Sequence, residues 1–176
     1  PGGGKSKRGS DRHYPLIKTA DLPSIILNDP NWCVADDAHL WLWSVNSTLG
    51  DAMWLMDQLG FRYITNAAWI KINDGKLQSG LGRYMRGCHE LLLFGVRGKT
   101  CLPDVAPTSV FGDLSVLVAP RTGHSRKPLD QYELIESVSP SPRLEMFARS
   151  KRVGWTSCGN ELDNIHGDIK SGMKTH

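Results

Sequence analysis

Long apolar stretches are missing from this sequence of 176 residues. No run approaches the ~20 residues that a membrane-spanning helix needs, and none resembles the apolar core of a signal peptide. Internal repeats are missing as well. These absences exclude membrane-spanning and collagen-like proteins. The length predicts one domain, and we expect a globular protein in the cytoplasm.

Cysteine is scarce and scattered, with four residues at positions 33, 88, 101 and 158. There is no C-x-x-C pair and no pair of histidines at the spacing of metal ligands. A zinc site needs such clusters, so the sequence predicts no metal site. We interpret the cysteines as reduced thiols that pack as small apolar side chains.

Net charge is small, at +3, but it is unevenly distributed. Residues 1–18 contain five Lys and Arg residues and one Asp, which accounts for the positive charge of the whole chain. Three consecutive glycines, Gly2 to Gly4, disfavour regular structure there. The segment also carries His13 and Tyr14, and aromatic residues among basic ones suit nucleic-acid contact. The segment is either a flexible nucleic-acid-binding arm or a solvated tail.

Periodicity in the rest of the chain predicts alternating strands and helices. Apolar runs predict strands over 39–45, 61–72, 89–96, 114–120, 143–148 and 153–158. Helical spacing predicts a helix up to Leu59 that follows N-cap candidates at 46–48, and another from Pro128 to about Val138. Strands separated by helices or long loops predict an α/β domain with a largely parallel sheet and flanking helices.

A cluster of basic residues lies where ligands bind in such sheets. The segment GHSRKP places His124, Arg126 and Lys127 between a strand and a helix, and FARSKR places Arg149 after the next strand. Open α/β sheets bind ligands beyond the carboxyl ends of their strands, so cations there suit a carboxylate or phosphate. Solvated loop charge is the alternative interpretation.

A second cluster follows the last predicted strand. In CGNELD, Asn160 stands beside Glu161 after a glycine. A carboxylate beside an amide suits the binding of a ribose diol, because one carboxylate accepts hydrogen bonds from two hydroxyl groups. Taken alone, such a pair is also common in ordinary turns that bind no ligand.

The ordered set of segments is more specific than any one of them. HLWLWSVN, GFRYITNAAWIKI, LGRYMRGCHELLLFGVRGK, GHSRKPLDQYELIESVSPSPRLEMFAR and GWTSCGNELD resemble successive blocks of adenine N(6)-methyltransferases related to the catalytic subunit of the mRNA adenosine methyltransferase. The resemblance covers about residues 8–165 and is closest to the bacterial and phage branch, which is thought to modify DNA. It implies a Rossmann-like fold and methyl transfer from S-adenosylmethionine to the N(6) amine of adenine.

The resemblance also implies roles for individual residues. Lys127 would contact the carboxylate of the cofactor, Arg149 would lie near the cofactor, and Asn160 with Glu161 would hold its ribose hydroxyls. Five residues become candidates for nucleic-acid contact, two in the segment HYPLIK and three in LGRYMRGCHE: His13, Tyr14, Arg83, Tyr84 and Arg86.

The family signature, D-P-P-W at the end of a strand, has only an imperfect match here, Asp29-Pro30-Asn31-Trp32 after SIILN, a plausible strand. We interpret the match as a decoy for two reasons. Only six residues separate Trp32 from the next predicted strand, whereas a crossover between parallel strands needs a dozen or more. In addition, the HYP-type loop follows the signature in the family, but Tyr14 precedes Asp29. The catalytic residues are therefore not assigned.

We accordingly expect that the first strand and the true signature lie upstream of Pro1, so that this is an N-terminally truncated methyltransferase domain. The predicted organisation is a flexible basic arm over 1–18, the domain over 19–165 and a polar tail over 166–176. The favoured substrate is nucleic acid, with DNA preferred over RNA. The alternative is a non-catalytic nucleic-acid-binding homologue that pairs with an active subunit. A homodimer or a heterodimer fits either interpretation.

Overall fold

The computed structural model describes residues 17–80, 84–99, 115–121, 126–160 and 162. Its helices are α1 (Leu22–Leu27), α2 (Leu49–Gln58) and α3 (Asp130–Val138). Its strands are β1 (Ala38–Ser44), β2 (Arg62–Asn73), β3 (Lys76–Leu77), β4 (His89–Arg97), β5 (Val116–Pro120), β6 (Arg143–Met146) and β7 (Trp155–Cys158). All six predicted strands and both predicted helices are present, and the predicted α/β class, consistent with a Rossmann-like fold, is confirmed.

Two sheets are formed, and the larger one is mixed. Its order is β1-β4-β2-β3, with β5 also paired to β2. β4 is antiparallel to both β1 and β2, so β1 and β2 run in the same direction, and β5 is parallel to β2. Helix α2 is the crossover from β1 to β2, and β4 fills the position between them. The smaller sheet is the parallel pair β6-β7.

The largely parallel arrangement expected from the sequence therefore applies to β1, β2, β5 and the β6-β7 pair, and β3 and β4 add antiparallel pairing. The length of the connection between two neighbouring strands decides whether they can be parallel. Parallel neighbours need a crossover, commonly a helix, whereas a turn lets the chain return along the strand that it has just left. Residues Asp74 and Gly75 form such a turn after β2, and both have positive φ angles.

Helix α2 and the large sheet form one core. Met56 and Leu93 are almost fully buried between the helix and β4, and Leu40 and Leu42 of β1 pack against them. The opposite face of β1 and β4 carries aromatic rings, with the ring centroids of Trp41 and Phe94 4.6 Å apart. Burial of this apolar surface on both faces is the main source of stability in a sheet of this kind.

Helix α3 covers the aromatic face. The indole Nε1 of Trp41 donates a hydrogen bond to Ser139 Oγ at 2.9 Å, and Trp43 Nε1 donates to Gln131 Oε1 at 2.6 Å. Because the two acceptors lie near opposite ends of α3, the pair fixes the direction of the helix across the sheet. None of the helices in the described ranges is long and apolar enough to cross a membrane.

The segment SIILN forms a helix and a turn instead of the plausible strand that its β-branched residues suggest. Pro23 stands near the N-terminus of α1, where its missing N–H is not needed. At the other end, Asn28 Nδ2 donates to the carbonyl of Ser24 at 2.7 Å. Ile26 is the buried residue of the helix and packs against Leu55 and Phe61. This contact with the core favours the helix over the local strand propensity.

Candidate functional site

A buried carboxylate on β4 lies between two lysines. The residue Glu90 is only 8% exposed, and its Oε1 lies 2.6 Å from the Nζ of Lys71 on the neighbouring strand β2. Its other oxygen, Oε2, accepts a hydrogen bond from the Nζ of Lys127, which stands just before α3. We call these three residues the Lys–Glu–Lys cluster. Strand pairing brings Lys71 to Glu90, because Trp69, two residues before Lys71 on β2, is in register with Glu90.

The three residues of the cluster together carry a net charge of +1. Burial raises the pKa of Glu90, but hydrogen bonds from Lys127 and Lys71 outweigh that effect and hold the pKa below its ordinary value of 4.5. Glu90 is thus ionised at neutral pH and balances only one of the two ammonium groups. The lysine side chains are 18% and 24% exposed, so they are neither freely solvated nor sealed from a ligand.

Two indole rings support the lysines. Lys71 Nζ lies 5.1 Å from the ring centroid of Trp69, and Lys127 Nζ lies 5.1 Å from that of Trp43. The two rings meet edge to face at 6.0 Å. A cation over an indole face is attracted by the ring quadrupole, so the rings help to hold both ammonium groups in place. Trp69 is itself fixed by a hydrogen bond to the Ala119 carbonyl.

The ionised Glu90 makes the folded state sensitive to acid. Because its pKa is lower in the folded chain, its ion pairs stabilise the fold above the ordinary value and lose that effect as the pH falls through the lowered pKa. We expect the urea midpoint of unfolding to drop more between about pH 6 and about pH 3 in the wild type than in Glu90→Gln, which has no carboxylate to protonate. Equal drops in both proteins would contradict this.

The carboxyl ends of β6 and β7 form a second site element. The two strands are in register up to Met146 and Cys158, and the N–H of Ala148 then donates to the Cys158 carbonyl at 2.9 Å. At Gly159 the backbones are so close that a Cβ atom would lie 2.3 Å from the Ala148 oxygen. Only glycine fits there. We call this place the strand-end edge.

Candidate residues follow both strands at the strand-end edge. Arg149 comes after β6, and the exposed Asn160 comes after β7, so the parallel pairing brings the two to one edge. Phe147 lies there too. It is 55% exposed and has a φ of 59°, a left-handed conformation that is costly for an aromatic residue. Parallel α/β sheets bind ligands beyond such ends, and backbone strain concentrates at binding sites.

Helix α3 connects the two site elements. Lys127 precedes the helix, and in its first turn the hydroxyl of Tyr132 donates to both carboxylate oxygens of Glu145 in β6, at 3.0 and 3.1 Å. Burial and the neighbouring Glu145 charge raise the pKa of Tyr132 to about 12, and burial raises the pKa of Glu145. The neutral Tyr132 hydroxyl therefore remains a donor, and the helix is held against the strand.

The connection between β6 and β7 is also anchored on α3. Arg152 donates two hydrogen bonds to Glu136, at 2.8 and 3.2 Å, and Trp155 Nε1 donates to the same carboxylate at 2.8 Å. The guanidinium lies 4.5 Å from the ring centroid of Tyr132. These contacts hold the residues that lead from Arg149 into β7 along the helix.

The structure describes some of the residues predicted from the sequence and not others. Lys127 lies in the Lys–Glu–Lys cluster, and Arg149 and Asn160 lie at the strand-end edge. Tyr84 and Arg86 are exposed in the loop before β4, and Tyr84 is 99% exposed. Five predicted residues lie outside the described ranges: His13, Tyr14, Arg83, His124 and Glu161.

Asp29-Pro30-Asn31-Trp32 forms a turn after α1. The Asp29 carboxylate accepts hydrogen bonds from the Asn31 backbone N–H at 2.8 Å and from its side chain at 3.0 Å. Trp32 packs edge to face on Phe61 at 6.5 Å. The carboxylate thus serves its own turn and the indole serves the core. Our interpretation of the segment as a decoy stays a prediction.

Glu90, Lys71 and Phe147 are site residues that the sequence did not reveal to us. A usable signal existed for the first two, because a charged residue inside the apolar runs HELLLFGV and AAWIKI needs a partner once it is buried. No such signal marks Phe147. Among the described side chains, no group of three His, Cys, Asp or Glu residues is arranged to hold a metal ion.

The family model described as MT-A70 matches residues 12–161. The chain is 28% identical to an Arabidopsis thaliana protein named N(6)-adenosine-methyltransferase MT-A70-like, over 86% of this chain and 22% of that protein. It is 30% identical to the Homo sapiens N(6)-adenosine-methyltransferase catalytic subunit METTL3, over 74% of this chain and 23% of that protein.

A bacterial protein is also similar. The type II methyltransferase M.MunI of Mycoplasma sp is 29% identical over 85% of this chain and 60% of that protein. The chain thus spans about a fifth of the length of the plant and human relatives and 60% of the bacterial one.

Proposed function

The chain belongs to the MT-A70 family, and from that premise we propose that the whole protein transfers a methyl group from S-adenosylmethionine to the N(6) amine of adenine in nucleic acid. Similar proteins named as N(6)-adenosine or type II methyltransferases support the reaction class. We favour DNA over RNA because the ordered segments resemble the branch of the family thought to modify DNA.

The observation that carries the proposal is the net positive charge of the Lys–Glu–Lys cluster, whose Lys127 stands just before the helix that packs on β6. The methionine end of S-adenosylmethionine carries a carboxylate, which suits Lys127 because an ammonium has three donors and Glu90 uses one of them. Its ribose diol suits the Asn160 amide and the neighbouring Glu161. Arg149 stands at the same edge. The residues present therefore fit the cofactor.

When bound, the cofactor supplies a methyl group activated by its sulfonium. The residues of the chain bind and orient the cofactor. Lys127 would fix the carboxylate, and Asn160 with Glu161 the ribose, which leaves the sulfonium methyl to face the base. An in-line displacement gains most from such positioning and from a preorganised electrostatic environment. The catalytic acceptors for the amine protons are not assigned.

The target adenine must leave the base stack unless the substrate is single-stranded. The loop before β4 offers the groups that such a substrate needs, because Tyr84 exposes its ring almost fully and Arg86 lies two residues away. Aromatic rings stack on unpaired bases, and guanidinium groups contact phosphates. His13, Tyr14 and Arg83 are further substrate-binding residues in this proposal.

One observation favours a second function, that of a nucleic-acid-binding homologue paired with an active subunit. In the described ranges, the one segment that matches the D-P-P-W signature in part uses its Asp29 carboxylate within its own turn. Such a protein would bind nucleic acid without using the cofactor. Cofactor binding therefore separates the two functions.

The test compares two ligands that differ at the methionine end. S-adenosylhomocysteine carries the carboxylate, and methylthioadenosine lacks the whole amino-acid portion. We expect S-adenosylhomocysteine to bind at least tenfold more tightly in calorimetry, since a hydrogen bond to a charged group is worth about 1.5–3 kcal/mol. No binding of either ligand, together with binding of an oligonucleotide, would favour the homologue. Equal affinities would remove Lys127 from the carboxylate site.

A further inference from the structure

Lys71 is the member of the Lys–Glu–Lys cluster that has no part in the proposed contacts with the cofactor. It lies on β2, and its Nζ is 2.6 Å from Glu90 Oε1, whereas Lys127 uses Oε2. Each carboxylate oxygen therefore serves one ammonium group. The side chain is 18% exposed and lies over Trp69, which is buried. A lysine placed in this way is too enclosed to be a solvated surface charge.

The charge of the cluster depends on Lys71. With Glu90 and Lys127 alone, the buried pair would be neutral, and it would exert no net attraction on a ligand anion. With Lys71 present, the carboxylate is shared and the cluster has a charge of +1. Opposite charges attract strongly over a few ångströms where little water screens them. The cluster is thus complementary to one singly charged anion.

We propose that Lys71 is a positioning residue of an anionic subsite: by sharing Glu90, it leaves Lys127 with the positive charge that a ligand carboxylate requires. Glu90 orients both ammonium groups, and the carboxylate of the ligand then completes an alternating arrangement of two positive and two negative charges. The inference rests on the proposed function for the identity of the ligand. It goes further by assigning a role to a residue that does not touch the ligand.

The test restores the charge after removing it. Methionine keeps most of the length and packing of Lys71 over Trp69, so Lys71→Met should weaken S-adenosylhomocysteine binding about tenfold while methylthioadenosine binding stays unchanged. The double variant Lys71→Met with Glu90→Gln again has a charge of +1, and we expect it to recover most of the lost affinity. Lys76→Met, an exposed lysine on β3, is the matched control and should bind like the wild type.

A purely structural role for Lys71 predicts a different pattern. In that case the double variant would bind no better than Lys71→Met, and both ligands would lose affinity together. Either result would overturn the inference. Thermal unfolding of each variant shows whether the fold is intact.

A second probe separates this inference from the proposed function. Inorganic phosphate at low millimolar concentration, compared with chloride at equal ionic strength, should stabilise the wild type and the double variant against heat but not Lys71→Met. That result without any binding of S-adenosylhomocysteine would refute the proposed function and support the anionic subsite. A wild type that does not respond to phosphate would overturn the subsite even if the cofactor binds.

Discussion

Replacing Gly159 with alanine is expected to destabilise the chain by about 3 kcal/mol, at the upper end of the usual cost of overpacking. The added Cβ would lie 2.3 Å from the Ala148 oxygen, 2.6 Å from its nitrogen and 2.9 Å from the Phe147 carbonyl carbon. All three atoms belong to the backbone, so no side chain can move aside. Relief requires β6 and β7 to separate at the strand-end edge, and urea unfolding would measure the cost.

Gly87→Ala is the matched control for this experiment. A Cβ at Gly87 would meet no atom within 4 Å, so the same chemical change should leave the stability nearly unchanged. We also expect Gly159→Ala to lose affinity for S-adenosylhomocysteine by more than its global destabilisation explains, because Arg149 and Asn160 flank the separated strands. A variant as stable as Gly87→Ala would show that the two strand ends are not in close contact.

Lys127→Met is expected to weaken the binding of S-adenosylhomocysteine by about tenfold to a hundredfold, the equivalent of a lost hydrogen bond to a charged group. The substitution removes the donor and leaves Lys71 and Glu90 as a neutral pair, so the cluster no longer attracts an anion. Methylthioadenosine should bind the variant as well as it binds the wild type. Calorimetry on both ligands gives the comparison.

The control for Lys127→Met is Lys76→Met, which removes the same charge from an exposed position. If both variants lose affinity equally, the effect would reflect the overall charge of the protein and not the cluster. If neither loses affinity, the carboxylate of the ligand is bound elsewhere, and the assignment of Lys127 would be wrong.

Much of the fold could be predicted because its elements carry local signals. The apolar run around Trp41 and the helical spacing from Leu49 to Leu59 each predicted an element that the structure contains. The direction of β4 could not be predicted in this way, because it depends on pairing with β1 and β2 and not on its own residues. The prediction of a strand at SIILN was wrong for a related reason, since burial of Ile26 in the core outweighed the local strand propensity.

The residues of the candidate site also fall into those that local sequence signals indicate and those that only strand pairing brings together. Lys127, Arg149 and Asn160 follow from the order of segments, which is written in the sequence. Glu90 and Lys71 do not, because they are 19 residues apart and meet only through the register of β2 and β4. Phe147 became a candidate only once its left-handed backbone was seen beside Gly159. Contacts between distant strands are what sequence patterns describe least well.

Methyl transfer itself tests the central claim most directly. The whole protein would be incubated with S-adenosylmethionine that carries a labelled methyl group and with DNA or RNA oligonucleotides, whose nucleosides are then separated and identified by mass spectrometry. We predict label on the N(6) amine of adenine, with more in DNA than in RNA, and none when every adenine is replaced by hypoxanthine. Unlabelled adenine in both nucleic acids, from a protein that binds the oligonucleotides, would contradict the claim.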